Sequence, residues 1–105
     1  FKFAVTKLPQ TARALCEETH TPLDKIDWFL AHQANYRINK YVREHLGVPE
    51  EKMPMNIDRF GNTSAGTIPI LIDECTRAGK LKRGELNMLL ALGAGIHWGC
   101  ALVRW

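Results

Sequence analysis

The run Ile26-Asp-Trp-Phe-Leu-Ala31 constrains this chain more than any other segment. A compact apolar stretch of about six residues reads as a strand buried inside a sheet. It feeds directly into the polar residues His32-Gln33-Ala34-Asn35, and a helical pattern follows at once. Ala34, Ile38, Tyr41, Val42 and His45 line one helical face, and Gly47 stands where a C-terminal cap belongs. A buried strand running straight into a helix is the beginning of an α/β fold, because helices must cover the sheet.

The rest of the chain repeats that alternation. Phe1, Val5, Leu8, Ala12, Leu15 and Cys16 share a helical face, with Pro9 marking either a restart or a kink. Met53 to Ile57 is a short strand candidate. Arg59-Phe-Gly-Asn-Thr-Ser64 is turn chemistry ahead of a further helix, which turns Ile68, Leu71, Ile72, Cys75 and Ala78 inward and stops at Gly79. Asn87 to Leu92 and Trp98 to Trp105 read as two strands joined through Gly93-Ala94-Gly95, a hairpin. The expected order is α-β-α-β-α-β-β: a layered α/β/α unit with a mixed sheet covered by helices.

Composition narrows the function. A length of 105 residues suits one compact unit, and 46% hydrophobic with 24% charged residues excludes disorder. No run approaches the ~18 apolar residues of a membrane span, so no membrane role is expected. The net charge of +3 comes without a basic tract carrying interleaved aromatics, which argues against nucleic acid and leaves an anionic partner compatible. Cys16, Cys75 and Cys100 form no CxxC pair, so buried thiols in a reducing cytosol are expected instead of a disulfide framework or a zinc site. His20, His45 and His97 show no metal-ligand spacing, and no metal is assigned. Phe1 stands where an initiator Met would, so the chain is expected to be a piece of something longer.

Two polar clusters sit at strand-to-helix junctions. His32 follows the buried strand, and Asn62 lies in the loop after the next strand candidate. In open α/β sheets ligands bind beyond the carboxyl ends of the strands. Taken by themselves, a His such as His32 at a strand end is more often a hydrogen-bonded structural residue, and Asn62 after Gly61 more often a turn or cap residue. Gly93-Ala94-Gly95 lacks the phosphate-binding spacing and leads into a strand.

The blocks in order carry a resemblance. Asp27-Trp28 with His32-Gln33-Ala34-Asn35, then Asp58-Arg59-Phe60-Gly61-Asn62-Thr63-Ser64-Ala65, then Gly93-Ala94-Gly95 with Trp98-Gly99 and the terminal Leu102-Val103-Arg104-Trp105, resemble the C-terminal half of 3-oxoacyl-(acyl-carrier-protein) synthase III. The resemblance covers essentially residues 1–105 and implies a thiolase-like fold. It also implies the decarboxylative condensation of acyl-CoA with malonyl-acyl carrier protein that initiates fatty-acid synthesis. By that resemblance His32 and Asn62 are catalytic, and the Ala94 backbone N–H belongs to an oxyanion hole. Gln33, Ala34, Asn35, Tyr36 and Arg37 match a carrier-protein docking segment that Lys2 joins, and Phe1 lies by the substrate channel.

The implied partners are acyl carrier protein, acyl-CoA and an N-terminal half bearing the nucleophilic cysteine, in a cytoplasmic homodimer with no cofactor. None of the three cysteines lies in a matching motif, so the chain alone is expected to be inactive. His97 stands where a smaller polar residue is expected. A starter-unit ketosynthase of secondary metabolism and a non-catalytic CoA- or carrier-protein-binding module are the alternatives. A chalcone-synthase-like enzyme fits less well, because His-Pro-Gly-Gly does not replace His32-Gln33-Ala34-Asn35.

Overall fold

A computed structural model describes residues 2–93 and 97–105. The order is α1 (Lys2–Glu18), β1 (Trp28–Ala31), α2 (Tyr36–Leu46), a short α3 (Ile57–Phe60), α4 (Thr67–Arg77), β2 (Leu86–Gly93) and β3 (His97–Arg104). Single 3-10 turns at Leu23–Lys25, Glu50–Lys52 and Ser64–Gly66 fill the connections. The sheet runs β1-β2-β3, with β1 parallel to β2 and β2 antiparallel to β3. The hairpin expected from the last two strands is present, and the sheet is mixed.

The pleat sorts the side chains into two layers. Phe29 and Ala31 of β1 pair with Met88 and Leu90 of β2, which pair in turn with Leu102 and Cys100 of β3. All of these face α1 and α2, packing against Leu8, Ala12, Cys16, Val42 and Leu46. Leu30 and Leu89 point the other way and meet Leu71 and Cys75 of α4. The expected α/β/α layering is therefore observed, with two helices on one face and one on the other.

Two local expectations need correction or closure. Met53–Ile57 forms no strand: a 3-10 turn over Glu50–Lys52 precedes it, and α3 begins at Ile57. Pro54 has no N–H to give a ladder, and the Asn56 N–H goes to the Gln33 side chain instead. Met53 still turns into the core at 2% exposure. Helix α1 runs unbroken through Pro9. Proline forfeits one backbone bond there, but Ala4, Leu8, Ala12 and Cys16 are buried along the same helix, and packing overrides the local preference.

The ends of α2 follow the sequence signals, whereas α4 opens after Gly66 with no side-chain cap, so the expected capping by Asn62, Thr63 or Ser64 is not observed. Asn35 caps α2 by accepting the Arg37 N–H at 2.8 Å, and Gly47 closes it in the left-handed conformation (φ 68°, ψ 28°).

Candidate functional site

β1 delivers His32 to the carboxyl edge of the sheet, and the His32 N–H still bonds the Leu90 carbonyl at 2.8 Å. The ring is half-buried, and its Nδ1 lies 2.5 Å from the hydroxyl of Thr67, the first residue of α4. Burial pushes the His32 pKa below its ordinary 6.5, so the imidazole is neutral at pH 7.

Asn62 reaches the same edge from the other direction. α3 ends at Gly61, whose φ of 66° and ψ of −160° belong to a region that side chains avoid. Asn62 then folds back, its Oδ1 accepting the Ser64 N–H at 2.9 Å, and Ser64 itself adopts a left-handed φ of 56°. With its carbonyl end engaged, Asn62 presents its Nδ2 amide as the end available to a ligand. The loop is bracketed by a two-pronged ion pair, Arg59 to Glu74 at 2.6 and 2.9 Å, which ties α3 to α4.

His32 and Asn62 line one cleft of about 590 Å³. Ala34, Ala65, Ile68, Ala91 and Leu92 make most of its wall apolar, and Ser64 and Thr67 also line it. A neutral imidazole and a primary amide in a mostly apolar cleft are suited to donating hydrogen bonds to an oxygen that gains negative charge. Among the described residues no group of three His, Cys, Asp or Glu side chains is arranged for a metal ion.

The remaining predicted site residues divide. Asn35, Tyr36 and Arg37 are exposed at the start of α2, and Lys2 is exposed at the start of α1. Gln33 is 1% exposed: its Nε2 donates to the Ala31 carbonyl and its Oε1 accepts the Asn56 N–H. It therefore braces the strand end against the chain leading to Asn62 and presents no docking surface. Ala34 faces the cleft. Phe1 and Ala94 lie outside the described residues. Sequence reasoning missed Thr67, whose one legible signal was a hydroxyl three residues past the Asn62-Thr63-Ser64 cluster of capping types.

The thiols have no nucleophilic poise. Burial raises the pKa values of Cys16 and Cys75, and that of Cys100 to about 11, so all three stay protonated near neutrality.

Residues 16–105 match the family described as 3-oxoacyl-[acyl-carrier-protein (ACP)] synthase III C terminal. The chain belongs to that family.

Synthase III relatives align along the whole chain. The beta-ketoacyl-[acyl-carrier-protein] synthase III of Prochlorococcus marinus (strain MIT 9301) is 42% identical over 105 residues, covering 100% of this chain and 31% of that protein. The synthase III of Coxiella burnetii (strain Dugway 5J108-111) is 44% identical over 104 residues, 99% of this chain and 33% of its own length. The chain thus spans about a third of the curated relatives it matches. Solved synthase III structures superpose closely. That of Aquifex aeolicus has a TM-score of 0.93 at 38% identity, covering 96% of this chain and 33% of its own. That of Thermus thermophilus has a TM-score of 0.94 at 38% identity, covering 99% and 32%. The fold is thiolase-like α/β, as expected.

No helix among the described residues is long and apolar enough to cross a membrane.

Proposed function

We propose that this chain supplies the enolate-stabilising side of a 3-oxoacyl-acyl carrier protein synthase III, acting in the decarboxylative condensation of acyl-CoA with malonyl-acyl carrier protein. In this reading residues 1–105 belong to the C-terminal thiolase-like half. The nucleophilic cysteine resides in an N-terminal half, and the complete enzyme is a cytoplasmic homodimer that needs no cofactor.

Loss of CO2 from the malonyl thioester breaks a carbon–carbon bond and leaves its electron pair on the α-carbon, delocalised onto the thioester oxygen. His32 and Asn62 donate to that oxygen. Because both are neutral before the reaction, they bind the developing charge more strongly than the uncharged ground state, which is the condition for acceleration. The enolate carbon then attacks the acyl-cysteine carbonyl, and the cysteine thiolate leaves. The Ala94 N–H serves the oxyanion of acyl transfer to that cysteine, and Phe1 borders the substrate channel.

Exposed Tyr36 and Arg37 on α2, with Asn35 and Lys2, form the face for an acidic carrier protein. Cation and anion there set encounter rate and register more than tightness.

The observation that carries this reading is the shared cleft of neutral His32 and Asn62, its amide end unengaged among the described residues. The experiment replaces His32 or Asn62 with Ala in the full-length protein and follows malonyl-thioester decarboxylation. Each replacement is expected to slow the step by about 10²–10³-fold. Unchanged rates would remove both residues from the mechanism.

A further inference from the structure

The Thr67 hydroxyl, at the first residue of α4 with no carbonyl of its own helix four residues earlier, bonds across the fold, whereas the other described helical threonines bond back along their helices. Thr6 and Thr11 on α1 and Thr76 on α4 each donate to the carbonyl four residues earlier, at 2.9, 2.8 and 2.7 Å. Thr19, just past α1, does the same at 2.7 Å. This back-bond is the usual local solution for a helical hydroxyl. Thr67, at the first position of α4, turns its Oγ1 to His32 Nδ1 instead.

A contact between a hydroxyl and an imidazole nitrogen can run in two directions. If Nδ1 carries the proton, Thr67 accepts, and its own hydroxyl hydrogen then needs a second acceptor. Thr67 is 2% exposed, so bulk water does not supply one, and His32 is the partner of its hydroxyl among the described residues. If Nδ1 is bare, Thr67 donates and both atoms of the contact are satisfied. Buried polar groups are almost always satisfied, which favours the second arrangement.

We infer that Thr67 is a positioning residue: its hydroxyl donates to His32 Nδ1 and holds the ring in the tautomer that carries its proton on Nε2. The hydroxyl also fixes the ring plane, because the contact anchors one ring nitrogen to a buried residue in the first turn of α4. Thr67 touches no reacting atom; it acts through His32. The catalytic consequence rests on the reading of His32 as a donor to the enolate oxygen, whereas the tautomer does not.

The test uses the full-length protein labelled with 15N at histidine, with the His32 resonances assigned by their loss in a His32→Gln variant. Two-bond proton–nitrogen correlations report which ring nitrogen carries hydrogen. The wild type is expected to show a protonated Nε2 and a bare Nδ1. Thr67→Val, which keeps the shape and removes the hydroxyl, is expected to mix or reverse the tautomers. It should also slow decarboxylation by about 10- to 100-fold, the scale felt when a group orienting a histidine is lost. Thr67→Ser is expected to restore both. A wild-type spectrum with hydrogen on Nδ1, or a Thr67→Val tautomer identical to wild type, overturns the assignment. Failure of Thr67→Ser to rescue overturns it as well. If His32→Ala leaves decarboxylation intact while the tautomer pattern is as stated, the functional reading falls and the role of Thr67 stands.

Discussion

His32 carries an electrostatic consequence of its place at the end of β1. Burial holds its pKa below 6.5 in the folded chain, while the unfolded chain titrates normally. The unfolded state therefore takes up a proton in a range where the folded state does not. Stability from this residue is complete above pH ~6.5 and is lost as pH falls from there towards the folded-state value. Denaturant titrations on either side of that pH should show a shallower dependence in His32→Gln than in wild type; equal slopes would contradict the assignment.

The cysteines give a second prediction at this scale. With burial raising all three thiols, alkylation of the native protein near neutral pH should be much slower than after unfolding. Comparable native and denatured rates would contradict it. That His32 and Asn62 reach one cleft was legible because both sit in local motifs at junctions leading into a helix. The burial of Gln33 and the partnership of Thr67 were not. Each depends on a contact across more than twenty residues of chain, Gln33 with Asn56 and His32 with Thr67, and local pattern carries no information about which distant groups meet.

At the scale of elements, the loop from α3 to α4 holds Asn62 through backbone conformation. Gly61 occupies a region closed to side chains, so Gly61→Ala should cost about 1–3 kcal/mol and lower Tm by at least ~4 °C. A thermal melt unchanged from wild type would show that the loop relaxes freely. At the other junction Asn35→Ala removes the α2 cap and should cost about 1 kcal/mol in denaturant unfolding; no loss of stability would contradict the cap's role. The existence of α2 and α4 was readable from sequence, but the buried face of α2 was not: Tyr41 and His45 are exposed, and Asn39 and Leu46 turn inward with Val42 instead. The Met53–Ile57 segment was not readable, because Met53 does face the core while Pro54 and the Gln33 side chain replace the strand ladder. Apolar pattern reports burial; it does not report which groups receive the backbone N–H.

Across the whole molecule, the two faces of the sheet are unequally covered. α1 and α2 cover the face formed by Phe29, Met88, Leu90, Cys100 and Leu102. On the opposite face α4 covers Leu30 and Leu89, while Ala91, Ala101 and Trp105 stay exposed, Trp105 at 39%. Phe60 is exposed at 50% beside the cleft loop. The chain spans about a third of its relatives, and on its own it should bind a dye specific for apolar surface and self-associate in gel filtration. A sharp monomer peak with no dye binding would contradict that expectation.

Layering was legible from alternating buried strands and amphipathic helices. Unequal coverage was not, since it depends on which strand lies beneath α4. The cleft between the end of β1 and the loop before α4 is the product of that arrangement, and the account rests on what binds there. The most direct measurement is a structure of the full-length protein with a malonyl-thioester analogue that cannot lose CO2. The thioester oxygen is predicted to lie about 2.7–3.1 Å from both His32 Nε2 and Asn62 Nδ2; an analogue bound with that oxygen in contact with neither would contradict the central claim.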